Sequence, residues 1–139
     1  MVDKTLILRK LSDVSEYLDQ LVEFSEITVE VYSSDWKIQR IVERTLQMMM
    51  EVCADIASHI ISDSNYRIPK TYADAFRILW EQGILDESLS NKMEQMAKFR
   101  NIVVHQYDKV DATIVVGILQ EHLSDFDDYK DAIIRLLEE

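Results

Sequence analysis

The sequence predicts an all-α protein, an antiparallel bundle of four or five helices. Its 139 residues include only two glycines and one proline, whereas sheet proteins with many tight turns need these residues often. Apolar residues make up 47% of the chain and charged residues 29%, a balance that is typical of globular proteins and too apolar for disorder. Because no internal repeat or linker interrupts the chain, residues 1–139 are expected to form one domain.

Two long helices are predicted in the N-terminal half. From about Thr5 to Glu26, apolar side chains recur every three or four residues, as on one face of an amphipathic helix. The segment ITVEVYSS that follows is rich in β-branched residues, and it either extends this helix or forms a turn. Asp35 can cap the next helix, whose apolar pattern continues until the SDSN cluster ends it near Ser62. The MMM run inside this second helix is interpreted as flexible core filling.

A shorter third helix is predicted from turn and cap residues. Thr71 and Asp74 resemble a capping box, in which two side chains satisfy the first free N–H groups of a helix. The helix would run through Trp80, and Gly83 is well placed as the residue just beyond its C-terminal cap.

Two further helices complete the predicted bundle. Asp86 can start the fourth helix, and Asp111 can cap a last helix that runs to Leu137 with an interruption at Ser124 and Asp125. The last helix carries an acidic cluster that is predicted to form a solvated face, namely Asp125, Asp127, Asp128 and Asp131.

Composition also limits the setting in which the protein works. Cys53 is the one cysteine of the chain, so no internal disulfide can form, and its apolar neighbours predict a buried, reduced thiol. The apolar run near the N-terminus is too short for a signal peptide, and no stretch reaches about 18 uncharged apolar residues, so we expect a cytoplasmic protein. The net charge of −11 argues against general nucleic-acid binding, because phosphate is repelled at long range.

The stretch KFRNIVVHQY, residues 98–107, places several polar groups in an otherwise apolar helical segment. At about 100° per residue, Asn101 and His105 lie one turn apart on the same face, whereas Arg100 lies near the azimuth of Tyr107. The sequence therefore predicts that these four groups flank one edge of the helix, with the long stem of Arg100 reaching toward His105. Alternatively, two chains pack this edge together, so that each site draws on both copies.

These side chains suit the cleavage of a phosphodiester without a metal ion. A neutral histidine, with an ordinary pKa of about 6.5, can take a proton from a ribose 2′-hydroxyl, and the product would be a 2′,3′-cyclic phosphate. Arginine offers a planar fork of donors to the phosphate and to the charge that grows on it. Asn101 can hold the imidazole or a phosphate oxygen, and the hydroxyl of Tyr107 can contact phosphate or a base.

Other chemistries find less support in the sequence. His59 and His122 are isolated, no Cys/His cluster occurs, and there is neither a glycine-rich phosphate loop nor a GxSxG motif, so we expect no metal and no cofactor. Arg and His in a helix are also frequent as surface or capping residues, and spacing alone does not decide for catalysis. A non-catalytic helical partner or nucleotide-binding subunit of a nucleotidyltransferase, and a purely structural bundle, are the alternatives.

The segment RNIVVHQY fits the Arg-x4-His-x-Tyr pattern of the HEPN superfamily and, within it, resembles the HepT-type toxins. Two further segments are similar to the group's helices: WKIQRIVERTLQMMMEVCADIASHII to the long second helix, and IPKTYADAFRILWEQGIL with MAKFRNIVVHQY to the third and fourth. The resemblance covers roughly residues 4–137. It implies a HEPN bundle that dimerises with the motif edges facing each other across a cleft.

The same resemblance implies an activity and a partner. The activity is metal-independent RNA cleavage by a toxin, with Arg100, His105 and Asn101 at the catalytic positions. The partner is a small nucleotidyltransferase antitoxin of the MntA type, which transfers AMP from ATP to the motif tyrosine, here Tyr107. A homodimer would bring two copies of Lys98 and Arg100 to one cleft, which eases the objection from net charge. The charge still suggests a restricted RNA substrate, and we expect tRNA.

Overall fold

The computed structural model describes residues 2–139, and every regular element within that range is helical. The α-helices are α1 (Lys4–Val22), α2 (Val29–Ser34), α3 (Trp36–Asp63), α4 (Tyr72–Glu81), α5 (Glu87–His105), α6 (Ala112–Gly117) and α7 (Leu123–Leu137). A 3₁₀ turn, Tyr107–Lys109, precedes α6, and a π-helical segment, Ile118–His122, joins α6 to α7 without a break. The all-α bundle is therefore confirmed, with the short α2 as an addition. None of the helices in this part of the chain is long and apolar enough to cross a membrane.

Short polar side chains begin the helices where the sequence predicts. Four of these side chains accept a hydrogen bond from a backbone N–H in the first turn, at 2.8–3.2 Å: Asp35, Thr71, Asp86 and Asp111. Gly83 follows α4 with a φ of +74°, a left-handed conformation that glycine adopts without a steric penalty. Its N–H donates to the carbonyl of Trp80 at 2.9 Å, so its predicted role is confirmed.

The N-terminal helix is shorter than predicted. α1 ends at Val22 rather than at Glu26, and residues 23–26 form turns. The segment ITVEVYSS does not extend α1 but contains a separate helix, α2. Its start is fixed by Thr28, whose hydroxyl oxygen accepts from the N–H of Val31 at 3.2 Å. A side-chain cap inside the segment thus starts a new helix rather than continuing the old one.

The last helix departs from the prediction in two ways. Its irregularity is the π-helical segment, which ends at His122, before the predicted interruption at Ser124 and Asp125. The prediction of a solvated face is confirmed for Asp127, Asp128 and Asp131, which are exposed. It is wrong for Asp125, which is only 4% exposed. Asp125 turns inward because its carboxylate lies 3.2 Å from Nδ1 of His122 and 3.7 Å from the ammonium of Lys92.

Helix α3 lies at the centre of the bundle and packs against α1, α4 and α5. Met49 and Met50 are buried on it, as expected for core filling. Cys53 is buried, as predicted, and burial raises the pKa of its thiol. Tyr129 of α7 donates a 2.8 Å hydrogen bond to the carbonyl of Cys53 and meets Phe76 of α4 edge-on, with ring centroids 5.6 Å apart. These contacts join α4 and α7 to each other and to α3.

An arginine clamp sets the position of α4. The carboxylate of Asp74, predicted as the second half of a capping box, accepts two 2.8 Å hydrogen bonds from Arg67 instead. Arg67 also donates to Glu81 at the other end of the helix, at 2.8 Å. The hydrogen bonds from Arg67 are the main cause that lowers the pKa of Asp74 to about 2. The clamp holds the preceding connection against α4 and so helps to place Tyr72, the first residue of that helix.

Candidate active site

The RNIVVHQY motif lies at the C-terminal end of α5. The helix ends at His105, because Gln106 adopts φ −139° and ψ 46° and leaves the helical conformation. Tyr107 therefore begins the following 3₁₀ turn. The prediction that Tyr107 lies on the helical edge near the azimuth of Arg100 is wrong, since the periodicity of the helix stops two residues earlier.

Arg100 is held in one orientation by contacts from three helices. Its Nε and one terminal nitrogen donate to the same oxygen of Glu51, on α3, at 3.1 and 2.6 Å. Its other terminal nitrogen donates to the side-chain oxygen of Asn101 at 3.2 Å. The guanidinium carbon lies 5.0 Å from the ring centroid of Tyr72, on α4, within the range of a cation–π contact. The side chain is only 16% exposed, so an arginine at the end of a surface helix has become part of the packed structure.

The sequence did not identify Glu51 or Tyr72 as part of this site. Glu51 is the one charged residue in the run MMMEVCA, which is a signal that it needs a basic partner. Partial burial raises its pKa, but hydrogen bonds from Arg100 and Gln47 outweigh that effect and lower the pKa below its usual value. Glu51 is therefore a carboxylate at neutral pH and a permanent acceptor for Arg100.

The remaining motif side chains face outward. Asn101, His105 and Tyr107 are exposed, and Tyr107 is 75% exposed. Neither His105 nor Tyr107 makes a side-chain hydrogen bond or ion pair with any residue between 2 and 139. Within one chain, Arg100 is therefore bonded to Asn101 and to Glu51. Its side chain turns to Glu51, whereas the sequence predicts that it reaches toward His105.

Chemically, the end of α5 offers a fixed guanidinium at Arg100 and a free imidazole at His105. Three of the N–H groups of Arg100 are engaged by Glu51 and Asn101. Since arginine has five such donors, about two are left for an incoming anion. The exposed imidazole of His105 can exchange protons with a bound molecule or with solvent. Within residues 2–139, no group of three or more His, Cys, Asp or Glu side chains is arranged to hold a metal ion.

Several known proteins are similar to this chain in both sequence and fold. A profile of the family described as ribonuclease HepT-like matches residues 14–133. The mRNA nuclease HepT of Shewanella oneidensis is 35% identical over 102 residues, which cover 73% of this chain and 77% of that protein. The tRNA nuclease HepT of Aphanizomenon flos-aquae is 32% identical over 110 residues, 79% of this chain and 75% of that protein.

A solved structure agrees with these relatives. It is described as the tri-AMPylated HEPN toxin of Shewanella oneidensis in complex with an MNT antitoxin, and it superposes with a TM-score of 0.86 at 30% identity. The match covers 97% of this chain and 99% of that one. The profile spans most of the chain, and the similarity extends over the whole bundle and includes the motif at the end of α5. The chain therefore belongs to the HepT-like ribonuclease family.

Proposed function

We propose that the protein is the toxin of a toxin–antitoxin pair and that it cleaves RNA without a metal ion. The observation that carries the proposal is the fixed guanidinium of Arg100, which donates to Asn101, together with the exposed imidazole of His105 one turn after Asn101 on the same helix. The family supports it, because two relatives carry the descriptions mRNA nuclease and tRNA nuclease.

In the proposed reaction, His105 removes the proton of a ribose 2′-hydroxyl, and the 2′-oxygen attacks the adjacent phosphorus. The bond from phosphorus to the 5′-oxygen breaks, and that oxygen takes a proton from water, while His105 returns its proton to solvent. The products are a 2′,3′-cyclic phosphate and a 5′-hydroxyl. The free donors of Arg100 stabilise the negative charge on the phosphate oxygens as it grows. Asn101 uses its amide oxygen for Arg100, so its amide N–H groups are available to the phosphate or to the imidazole.

We place two chains in the active form. His105 is exposed and makes no bond to Arg100 within one chain, so a second copy of this edge is needed to enclose a phosphate. Each copy contributes the exposed Lys98 and the fixed Arg100 to the shared cleft. Two sets of cations concentrate positive potential there, although each chain carries a net charge of −11. An acidic exterior and a basic cleft favour a restricted substrate, and tRNA is the substrate we propose.

The proposed antitoxin is a nucleotidyltransferase of the MntA type that modifies Tyr107. The solved relative that is described as tri-AMPylated and bound to an MNT antitoxin supports this assignment. Tyr107 is 75% exposed and lies in a 3₁₀ turn beyond the helix, so another enzyme can reach its hydroxyl. That hydroxyl would attack the α-phosphate of ATP and release pyrophosphate. Because both tRNA and ATP occur in the cytoplasm, we propose that the protein acts there.

Replacing His105 by alanine should remove the general base. We expect cleavage to fall by roughly 10²–10⁴-fold, the usual contribution of such a group. Helicity and dimerisation should not change, because the side chain is exposed and makes no internal bond. The measurement is cleavage of total tRNA by nuclease-free preparations, with Gln106→Ala, an exposed neighbour, as the matched control. Wild-type activity in folded His105→Ala would remove His105 from the mechanism.

Replacing Glu51 by glutamine should release Arg100 without removing it. The amide keeps the shape but not the charge, and a misplaced guanidinium can cost up to about 10²-fold in rate. Cleavage should fall while the melting temperature changes little, and the NMR signal of the Arg100 Nε–H should shift. The control is Glu43→Gln, which removes the same charge from the same helix, where Glu43 accepts from Tyr32 instead. If the two variants cleave RNA equally fast, Glu51 does not position Arg100.

Tyr107→Phe should separate cleavage from its control. Phenylalanine keeps the ring and loses only the hydroxyl, so at least part of the ribonuclease activity should remain, while neutralisation by the nucleotidyltransferase is lost. An attached AMP would compete with substrate phosphate for Arg100 and occupy the cleft. After co-expression, intact mass should show additions of about 329 Da each on wild type and none on the variant. Modification and silencing of Tyr107→Phe as in wild type would place the switch at another residue.

A further inference from the structure

A wide depression adjoins Arg100 on the side of α3. It has a volume of about 450 Å³ and is lined by residues of α1, α3 and α4: Tyr17, Met48, Glu51, Val52, Asp55 and Tyr72. We call it the α3 depression. Its size falls in the range of roughly 300–1,000 Å³ that is typical of small-molecule sites. Glu51 and Tyr72 also contact Arg100, so whatever occupies the depression lies next to the proposed site of cleavage.

Aromatic side chains stand on two sides of the α3 depression. Tyr17 is half-buried on α1, and Tyr72 is 40% exposed on α4. Neither hydroxyl makes a hydrogen bond with another residue in the range 2–139. Nucleobases taken out of a strand are commonly stacked on such rings, so these walls fit a flat heterocycle.

The charged groups of the α3 depression are two carboxylates, which accept hydrogen bonds. Glu51 and Asp55 lie one helical turn apart on α3. One oxygen of Glu51 accepts from Arg100 and Gln47, while its second oxygen accepts no hydrogen bond from residues 2–139. Asp55 is 47% exposed and pairs with Lys10 and with His59. Ionised carboxylates accept and do not donate, so the ligand must supply donors.

Among the four RNA bases, guanine matches such a wall. The Watson–Crick edge of guanine carries adjacent donors, N1–H and the N2 amino group. Adenine and cytosine each place a ring-nitrogen acceptor beside their amino group, and that acceptor would face a carboxylate. Uracil offers one N–H between two carbonyl oxygens. A pair of carboxylates therefore selects guanine, by attraction to its donors and by repulsion of the other edges.

Cations at the rim can hold the phosphates that a nucleotide brings. Arg100 lies at one side, and Lys10 from α1 lies beside Asp55. Arg44 is exposed two turns before Glu51 on the same helix and is close enough to lower the pKa of Glu51. In a bound nucleotide, the carboxylates would face the base and these cations would lie near its phosphates.

We propose that the α3 depression binds the guanine base of the nucleotide adjoining the cleaved phosphate, so that the protein cleaves RNA at guanine. The ring stacks between Tyr17 and Tyr72, and its donors face Glu51 and Asp55. This inference rests on the proposed ribonuclease activity, to which it adds a base preference. Arg100 would then meet the phosphate of the same nucleotide, and Glu51 would link base recognition to the orientation of the guanidinium.

Binding of RNA that cannot be cleaved tests the proposal. The probes are fluorescein-labelled trinucleotides with uridine at both ends and G, A, C or U in the middle, made with 2′-deoxyribose so that no 2′-hydroxyl can attack. Dissociation constants are measured by anisotropy with the full chain. We expect guanine to bind roughly tenfold more tightly than adenine. Tyr17→Ala should weaken guanine binding by roughly tenfold, and Tyr17→Phe should retain it.

Asp55→Asn is the selectivity variant, because it replaces an acceptor by a group that also donates. It should bring the ratio of guanine to adenine affinity close to one, whereas a merely structural defect would weaken all four probes alike. The matched control is Trp36→Ala, an exposed aromatic at the far end of α3, which should behave as wild type. Circular dichroism checks that each variant is folded.

The outcomes separate this inference from the proposed activity. Equal binding of the four probes by wild type, or a guanine preference that survives both Tyr17→Ala and Asp55→Asn, would overturn the α3 depression as a guanine site. A wild-type protein that cleaves unmodified RNA without preference would overturn it as well, while leaving the ribonuclease activity intact. Failure to cleave any RNA, with guanine binding preserved, would contradict the activity alone.

Discussion

Arg100 on α5 donates two hydrogen bonds to Glu51 on α3, and the geometry of the candidate site depends on this contact. The side chains of Arg100 and Glu51 are 16% and 32% exposed, so the pair is packed between helices yet still reached by solvent. Its effect is orientation. A guanidinium that is bound on one edge by a carboxylate, and covered on one face by Tyr72, loses much of the freedom of its long side chain. About two of its five N–H donors make no bond to Glu51 or Asn101, and the proposed reaction uses these donors to bind phosphate.

The packing of α3 against α4 and α5 makes this contact possible. α3 is the central helix, so a residue on its surface can meet side chains from both α4 and α5. Thr71 starts α4, and the clamp of Arg67 on Asp74 holds it in place, which brings Tyr72 to Arg100. α5 then ends after His105, so the imidazole stands at a helix terminus rather than in the middle of a packed face. Core packing and site geometry are thus consequences of the same three helices.

The carboxylate of Glu51 beside Arg100 also limits what can bind there. Glu51 keeps one oxygen for Arg100 and has a second that faces no donor from residues 2–139. A phosphate alone would be repelled by that oxygen, whereas a nucleotide brings both an anion for the guanidinium and donors for the carboxylate. The net charge of −11 likewise repels phosphate from the molecule as a whole. Weak attraction for RNA in general leaves recognition to a few specific contacts.

Much of the fold could be predicted from local signals. Caps such as Asp35 and Asp86 act within one turn, so sequence is sufficient to locate them. The same holds for Gly83, whose left-handed conformation few other residues adopt. The four-residue spacing of Asn101 and His105 also survives in the structure, because both lie inside α5.

Two of the features that the sequence did not predict result from tertiary contacts. The pairing of Glu51 with Arg100 joins residues 49 positions apart, and no local period reveals it. Asp125 lies in an acidic run that the sequence predicts to be solvated. It is nevertheless buried, because His122 and Lys92 lie close to its carboxylate and compensate its charge. The third difference is local: periodicity predicts a helical Tyr107 because it cannot detect the change of backbone conformation at Gln106.

The chemistry of the cleaved ends is the most direct test of the central claim, that this site cleaves RNA through a 2′-hydroxyl without a metal ion. Purified, unmodified wild-type protein is incubated with labelled tRNA in an excess of EDTA, and the new termini are identified by mass spectrometry. We expect cleavage to persist and to leave 2′,3′-cyclic phosphate and 5′-hydroxyl ends. Products with 3′-hydroxyl and 5′-phosphate ends, or cleavage that stops in EDTA and returns with a divalent cation, would contradict the roles given to His105 and Arg100.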